Sequence, residues 1–82
     1  MSEDGLEITV EYCVPCSYLA RTMWMVGELL AAMQEDIKSL TLIPGDGGML
    51  EWTVNGELVY SKKATGAFPE MDDIMLAVAN RL

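Results

Sequence analysis

Cys13 and Cys16 are the only cysteines of the chain, and they stand in the stretch VEYCVPCSYL with a proline directly before the second. Three chemistries compete for such a pair: reversible dithiol–disulfide exchange, half of a metal site, or two buried thiols that are neighbours by chance. A structural zinc site takes four ligands, as a rule Cys or His. This chain offers two cysteines and no histidine, so a monomer would have to recruit carboxylates and a dimer would have to share a four-cysteine site. An inert pair is the blander alternative, because free cysteine packs as a small core hydrophobe. Two intervening residues bridged by a turn, however, bring both sulfurs within disulfide reach. Pro15 stiffens that turn by fixing φ and withholding a donor. Thiol–disulfide chemistry leads, with the other two still open.

What the pair can do depends on what holds it. Residues 6–12, LEITVEY, alternate strictly, which predicts a strand with Leu6, Ile8, Val10 and Tyr12 toward a core. From Ser17 to about Ile37 the apolar period lengthens: Leu19, Met23, Val26, Leu30, Met33 and Ile37 recur at helical spacing, leaving Trp24, Met25 and Leu29 off the stripe. SLTLI, residues 39–43, reads as a second strand, and the helix before it implies a parallel βαβ unit. PGDGG breaks the chain at 44–48. Asn55-Gly56 between two β-rich runs predicts a type I′ hairpin, with Trp52 opposite Val59 and Thr53 opposite Leu58. After a loop, KKATGAFP, the segment EMDDIMLAVANRL reads as a closing helix with Met71, Ile74, Met75, Val78 and Leu82 inward. Glu70, Asp72 and Asp73 suit the positive end of its dipole. The expected order is β-α-β-β-β-α in one domain over residues 1–82, an α/β two-layer sandwich of a mixed four-stranded sheet and two helices.

On this reading the dithiol falls where the first strand hands over to the first helix, with Cys16 in or near the first helical turn. Unpaired backbone amides and the helix dipole there would hold a thiol pKa below its free value of about 8.5.

Composition sets the surroundings. Thirteen acidic and five basic side chains give a formal charge of −8, a field that repels phosphate backbones and anionic membrane surfaces. Nucleic-acid binding is not expected. No apolar run reaches the length of a membrane span, and the N-terminal MSEDGLEITV lacks the basic-then-apolar pattern of a signal peptide. The expected location is cytoplasmic, where a close cysteine pair is more often functional than a staple.

Three segments together are more specific than the C-x-x-C alone: VEYCVPC, GGMLEWTVNGELVYSKK and TGAFPE. Their combination resembles the selenoprotein W-like family, the Rdx group, which has a thioredoxin-like fold. The resemblance implies that Cys13 and Cys16 form the redox pair of a thiol–disulfide protein in cell redox homeostasis. It implies glutathione or protein thiols as exchange partners; separately, with so few ligands available, no metal is expected, and no bound cofactor is expected. One departure stands out: the family's selenoproteins carry selenocysteine at the position of Cys16, so peroxidase-like activity is not expected here, while disulfide exchange is. Thioredoxin logic makes Cys13 the attacking thiolate and Cys16 the resolving one. The selenocysteine comparison would reverse them, and the reading here leans slightly to Cys13.

Other residues attract smaller roles. Thioredoxins place a cis-proline before the hairpin, whereas here Pro44 lies at the far end of PGDGG and Gly48-Met49 occupies the strand entrance. Gly48 could let a substrate backbone approach. Pro15, Tyr18, Trp24 and Phe68 could frame the site for a partner, although Tyr12 and Phe68 also suit a core. Lys62 and Lys63 could meet a thiolate or the glutathione carboxylates, although a solvated strand end is the simpler account. The competing function is a non-catalytic interaction module whose partner affinity changes with the redox state of the pair.

Overall fold

The structure is a computed structural model that describes residues 5–82. Its elements run β1 (Leu6–Cys13), α1 (Leu19–Met33), β2 (Ile37–Gly45), β3 (Leu50–Val54), β4 (Glu57–Ser61), α2 (Lys62–Thr65) and α3 (Met71–Ala79). The strands form one sheet in the order β2-β1-β3-β4. The β1–β2 pair is parallel, as the βαβ reading requires, and the β3–β4 hairpin is antiparallel as read; β1 also pairs antiparallel with β3. This is the expected mixed four-stranded α/β arrangement, with one added element, the single helical turn α2.

The strict alternation of β1 works as read: Leu6, Ile8, Val10 and Tyr12 are all buried. They join Leu50, Trp52 and Val54 of β3 with residues of α1 and α3 in one apolar core. The intervening residues Thr9, Glu11, Glu51 and Thr53 are only partly buried, and the Thr53 hydroxyl donates to the Thr9 carbonyl at 3.2 Å.

The phase of α1 differs from its apolar pattern. The buried face is Thr22, Met25, Val26 and Leu29, whereas Leu19, Met23 and Trp24 are exposed. The helix carries two overlapping apolar tracks that share Val26. The track that faces the sheet is interrupted by Thr22, a polar residue, so the eye follows the other one. Ile37 belongs to neither, because the helix stops at Met33 and Ile37 opens β2. Among the described residues, neither the buried Thr22 hydroxyl nor the buried Trp52 indole N–H has a hydrogen-bond partner.

The hairpin turn is as expected, with Asn55 at φ 52° and Gly56 at φ 82°. Asn55 also locks the turn to β1, its amide donating to the Glu7 carbonyl and its side-chain oxygen accepting from the Glu7 amide. Thr53 faces Leu58 as predicted, but Trp52 faces Tyr60 rather than Val59. A bulge after two residue pairs leaves Val59 unpaired and shifts the rest of β4 by one. In α3, Ile74 and Val78 are buried and Met71 and Met75 pack against the core. Leu82 lies beyond the helix and is 66% exposed, so it takes no part in the stripe.

Three substitutions test this core. Met25→Ala removes a side chain that is 1% exposed and should cost about 2–5 kcal/mol in urea unfolding. Met23→Ala, at a residue 49% exposed, should stay within about 0.5 kcal/mol of wild type. Equal costs for the two would place the wrong face of α1 against the sheet. Thr22→Val keeps the shape and deletes the unpartnered hydroxyl, and should raise the unfolding midpoint rather than lower it.

Candidate functional site

β1 is an inner strand, so its C-terminal end is held from both sides. The Cys13 amide donates to the Met49 carbonyl at 2.9 Å, and the Val14 amide donates to the Gly45 carbonyl at 3.0 Å. The chain break expected at 44–48 starts later, because β2 runs through Pro44 and Gly45, and the short loop that follows β2 wraps the start of the cysteine turn. Gly48 sits in this loop at φ 77°, half-buried, immediately before the residue that receives the Cys13 amide. Among the described residues no peptide bond is cis, and Pro44 lies within β2 opposite Tyr12.

Residues 14–17 form the turn itself. The Ser17 amide closes onto the Val14 carbonyl at 3.1 Å, and the Tyr18 amide reaches the Cys13 carbonyl at 3.4 Å. Ser17 adopts φ 63°, a left-handed conformation that non-glycine residues seldom take. It redirects the chain into α1, whose first residue is Leu19. Cys16 therefore lies in the turn upstream of the helix, with Ser17 and Tyr18 in between, and not in the first helical turn. The helix still opens beside it: α1 has no side-chain cap and no acidic residue in its first turn.

Cys13 and Cys16 are joined in a disulfide with their Cα atoms 5.3 Å apart. Their surroundings are opposite. Cys13 is 0% exposed, while Val14, Pro15 and Cys16 are exposed. Two buried, inert neighbours is thus not what the chain builds. Among the described residues no group of three or more His, Cys, Asp or Glu is placed to hold a metal ion.

The aromatic candidates divide. Tyr18 and Phe68 come together edge to face, with ring centroids 4.6 Å apart. Both are half-buried and pack against the core. Phe68 arrives through local chemistry of the T-G-A-F-P run. Ser61 caps α2 by accepting from the Ala64 amide at 3.1 Å. Gly66 ends it at φ 77°, its amide closing onto the Lys62 carbonyl. The Tyr60 hydroxyl then donates to the Ala67 carbonyl and shares a hydrogen bond with the Thr65 hydroxyl at 2.8 Å. Pro69 is buried just beyond Phe68. Trp24 stands apart on the outward side of α1, 56% exposed, and no aromatic ring packs on it among the described residues.

Basic side chains complete the picture, and one of them went unnoticed in the sequence. The Arg21 guanidinium lies 4.3 Å from the Phe68 ring centre, and Lys62 Nζ lies 5.5 Å from that of Tyr18 and 5.9 Å from that of Phe68. Nothing in the spacing links Arg21 to Lys62. Only the tertiary meeting of Tyr18 with Phe68 does so. Lys63 is exposed and touches neither ring.

This geometry has relatives. Migration and invasion enhancer 1 from Mus musculus is 37% identical to the chain over 76 residues, and its counterpart from Bos taurus is 36% identical. Each alignment takes in 90% of this chain but 63% of the relative, so the chain spans under two thirds of their length. Among solved structures, a selenoprotein W-related protein from Vibrio cholerae superposes with a TM-score of 0.89 at 32% identity, covering 93% of this chain and 95% of that one. A protein from Bordetella parapertussis gives 0.90 at 32% identity, covering 95% and 99%. The sequence pattern that defines the Rdx family matches residues 7–80, from the strand that ends in Cys13 to the end of the last helix, and the chain belongs to that family.

Proposed function

We propose that the protein is a thiol–disulfide exchange protein that cycles Cys13 and Cys16 between dithiol and disulfide. Its electrons come from glutathione or protein thiols, or pass to the corresponding disulfides, in the cytoplasm. The observation that carries this reading is the unequal burial of a bonded pair: one sulfur-bearing residue sealed at the end of an inner strand, the other exposed at the turn.

That asymmetry also favours a division of labour opposite to the thioredoxin order. Exchange requires a thiolate to reach the sulfur it attacks. An incoming thiolate meets Cys16, forms a bond to its Sγ, and breaks the bond to Cys13. The electron pair leaves on the Cys13 sulfur, which takes up a proton. A second thiolate then attacks the mixed disulfide and releases Cys16, so two substrate thiols become one disulfide and the protein gains two thiols. Run backwards, the Cys16 thiolate opens a substrate disulfide and Cys13 resolves the intermediate. The buried thiol is well placed to resolve, because it is close to Cys16 and closed to other disulfides. Exposed Val14 and Leu19 near Cys16 in the chain offer apolar contact to a protein substrate.

A titration against glutathione buffers, quenched by alkylation in denaturant and read by mass, should show reversible loss of two alkylation sites with a midpoint between about −180 and −300 mV. Thiols that stay alkylatable throughout would end the redox reading. Single variants test the roles. Cys13→Ser should accumulate a stable mixed disulfide at Cys16, whereas Cys16→Ser should leave a Cys13 thiol that alkylates only as the protein opens. A Cys13 thiol that reacts as fast as Cys16 in these variants would restore the thioredoxin order. Redox-dependent partner capture without turnover would point instead to the interaction module.

A further inference from the structure

The chain carries thirteen acidic side chains against five basic ones. Two of the five basic residues are engaged with carboxylates: Lys38 with Glu7 and Arg81 with Glu57. Arg21 and Lys62 pair with no carboxylate among the described residues, and they share one place, over the two rings of the Tyr18–Phe68 pair. Lys62 is half-buried there. In so acidic a protein, two cations set against the same Phe68 ring, with no carboxylate partner among the described residues, are an arrangement that a ligand's negative charge would complete. The rings fix their positions, since a cation over an aromatic face is attracted by the ring quadrupole and keeps its N–H donors for other partners. The place is the redox turn: Tyr18 follows Cys16 by two residues, at most about 7 Å of chain. The uncapped start of α1, free of acidic residues in its first turn, adds positive potential on the same side.

We propose that Arg21 and Lys62 form a carboxylate-binding subsite beside Cys16, and that the exchange partner is a thiol or disulfide carrying a carboxylate within a residue or two of its sulfur. This deepens the exchange reading and rests on it. The planar guanidinium of Arg21 can take a carboxylate through two parallel hydrogen bonds, with the Lys62 ammonium as a point charge beside it. The subsite then orients the incoming sulfur toward Cys16 in the exchange written above, with no change in which bonds form and break. The same chemistry could arrive on a small thiol such as glutathione or on a protein cysteine flanked by Asp or Glu.

The test uses three small thiols of similar size and different charge: 3-mercaptopropionate, 2-mercaptoethanol and cysteamine. Rate constants for opening the Cys13–Cys16 disulfide are measured by stopped flow, each divided by the same thiol's rate with an uncharged small disulfide. Wild type should favour the anionic thiol over the cationic one by about 10-fold at low salt, shrinking toward parity in 1 M KCl. Arg21→Gln/Lys62→Gln should abolish the preference or invert it, with the 3-mercaptopropionate rate falling further than the 2-mercaptoethanol rate, because each attacks as a thiolate and only the first also carries a carboxylate. Arg21→Lys/Lys62→Arg should retain it. Lys63→Gln removes a neighbouring charge that faces no ring and should leave it intact. A wild type that reacts fastest with cysteamine, as net charge alone requires, overturns the subsite, as does a preference that survives the double Gln variant or vanishes in Lys63→Gln. If 2-mercaptoethanol fails to open the wild-type disulfide at all, the exchange reading itself falls, and that result is distinct from the others. Parallel runs with glutathione and with a Glu-flanked cysteine peptide identify the source: the one whose rate drops about 10-fold in the double variant is the ligand the subsite fits, and no drop in either overturns it.

Discussion

The inner position of β1 governs the rest of the molecule. Flanked by β2 and β3, this strand is buried along its inward face and has its last residues bonded on both sides, to Gly45 and to Met49. A strand fixed to its end delivers Cys13 to a defined point with its residue fully enclosed. The chain must then leave the sheet and turn into α1, and the turn that does so carries Cys16 outward. The opposed burial of the two cysteines therefore follows from where a strand stops and a turn begins, without any further device.

How much of this the sequence discloses depends on the range of the interaction. β1 and the Asn55-Gly56 turn are legible because alternation and positive φ are local properties. The cysteine pair is legible for the same reason, being a short motif between two periodicities. The phase of α1 is not, because the decisive residue, Thr22, is a buried polar one that breaks the inward track. The bulge at Val59 is invisible for a different reason: a two-residue turn sets the register only until an extra residue enters the ladder. α2 hides inside a loop-like composition, since its cap is Ser61 and its stop is Gly66, both ordinary in loops.

The site shows the same division. Which sulfur lies open depends on the length of β1 to the residue, and strand ends are the least certain part of a pattern. Phe68 and Tyr18 are fifty residues apart, so no spacing announces that their rings touch. The T-G-A-F-P run acquires a physical sense only with Tyr60 in view. Its hydroxyl holds the 65–67 turn in the shape that aims Phe68 at Tyr18, and the bulge in β4 sets the register that brings Tyr60 opposite Trp52. An irregularity in one strand thus reaches the redox turn through a hydrogen-bonded loop and an aromatic contact.

Charge acts on this site at two ranges, and they oppose each other. The net −8 belongs to the chain as a whole, and at physiological salt a Debye length of about 8 Å confines its influence to encounters near the protein. Arg21 and Lys62 act at contact distance, where screening is weakest and geometry is set by the rings beneath them. On the proposed subsite, a carboxylate-bearing substrate would be slowed on approach and favoured on arrival, and a cationic one the reverse. Partners would then be sorted by where their charge lies relative to the sulfur, not by how much they carry. Discrimination among thiols would then rest on two side chains and on the Tyr18–Phe68 pair that the fold already builds.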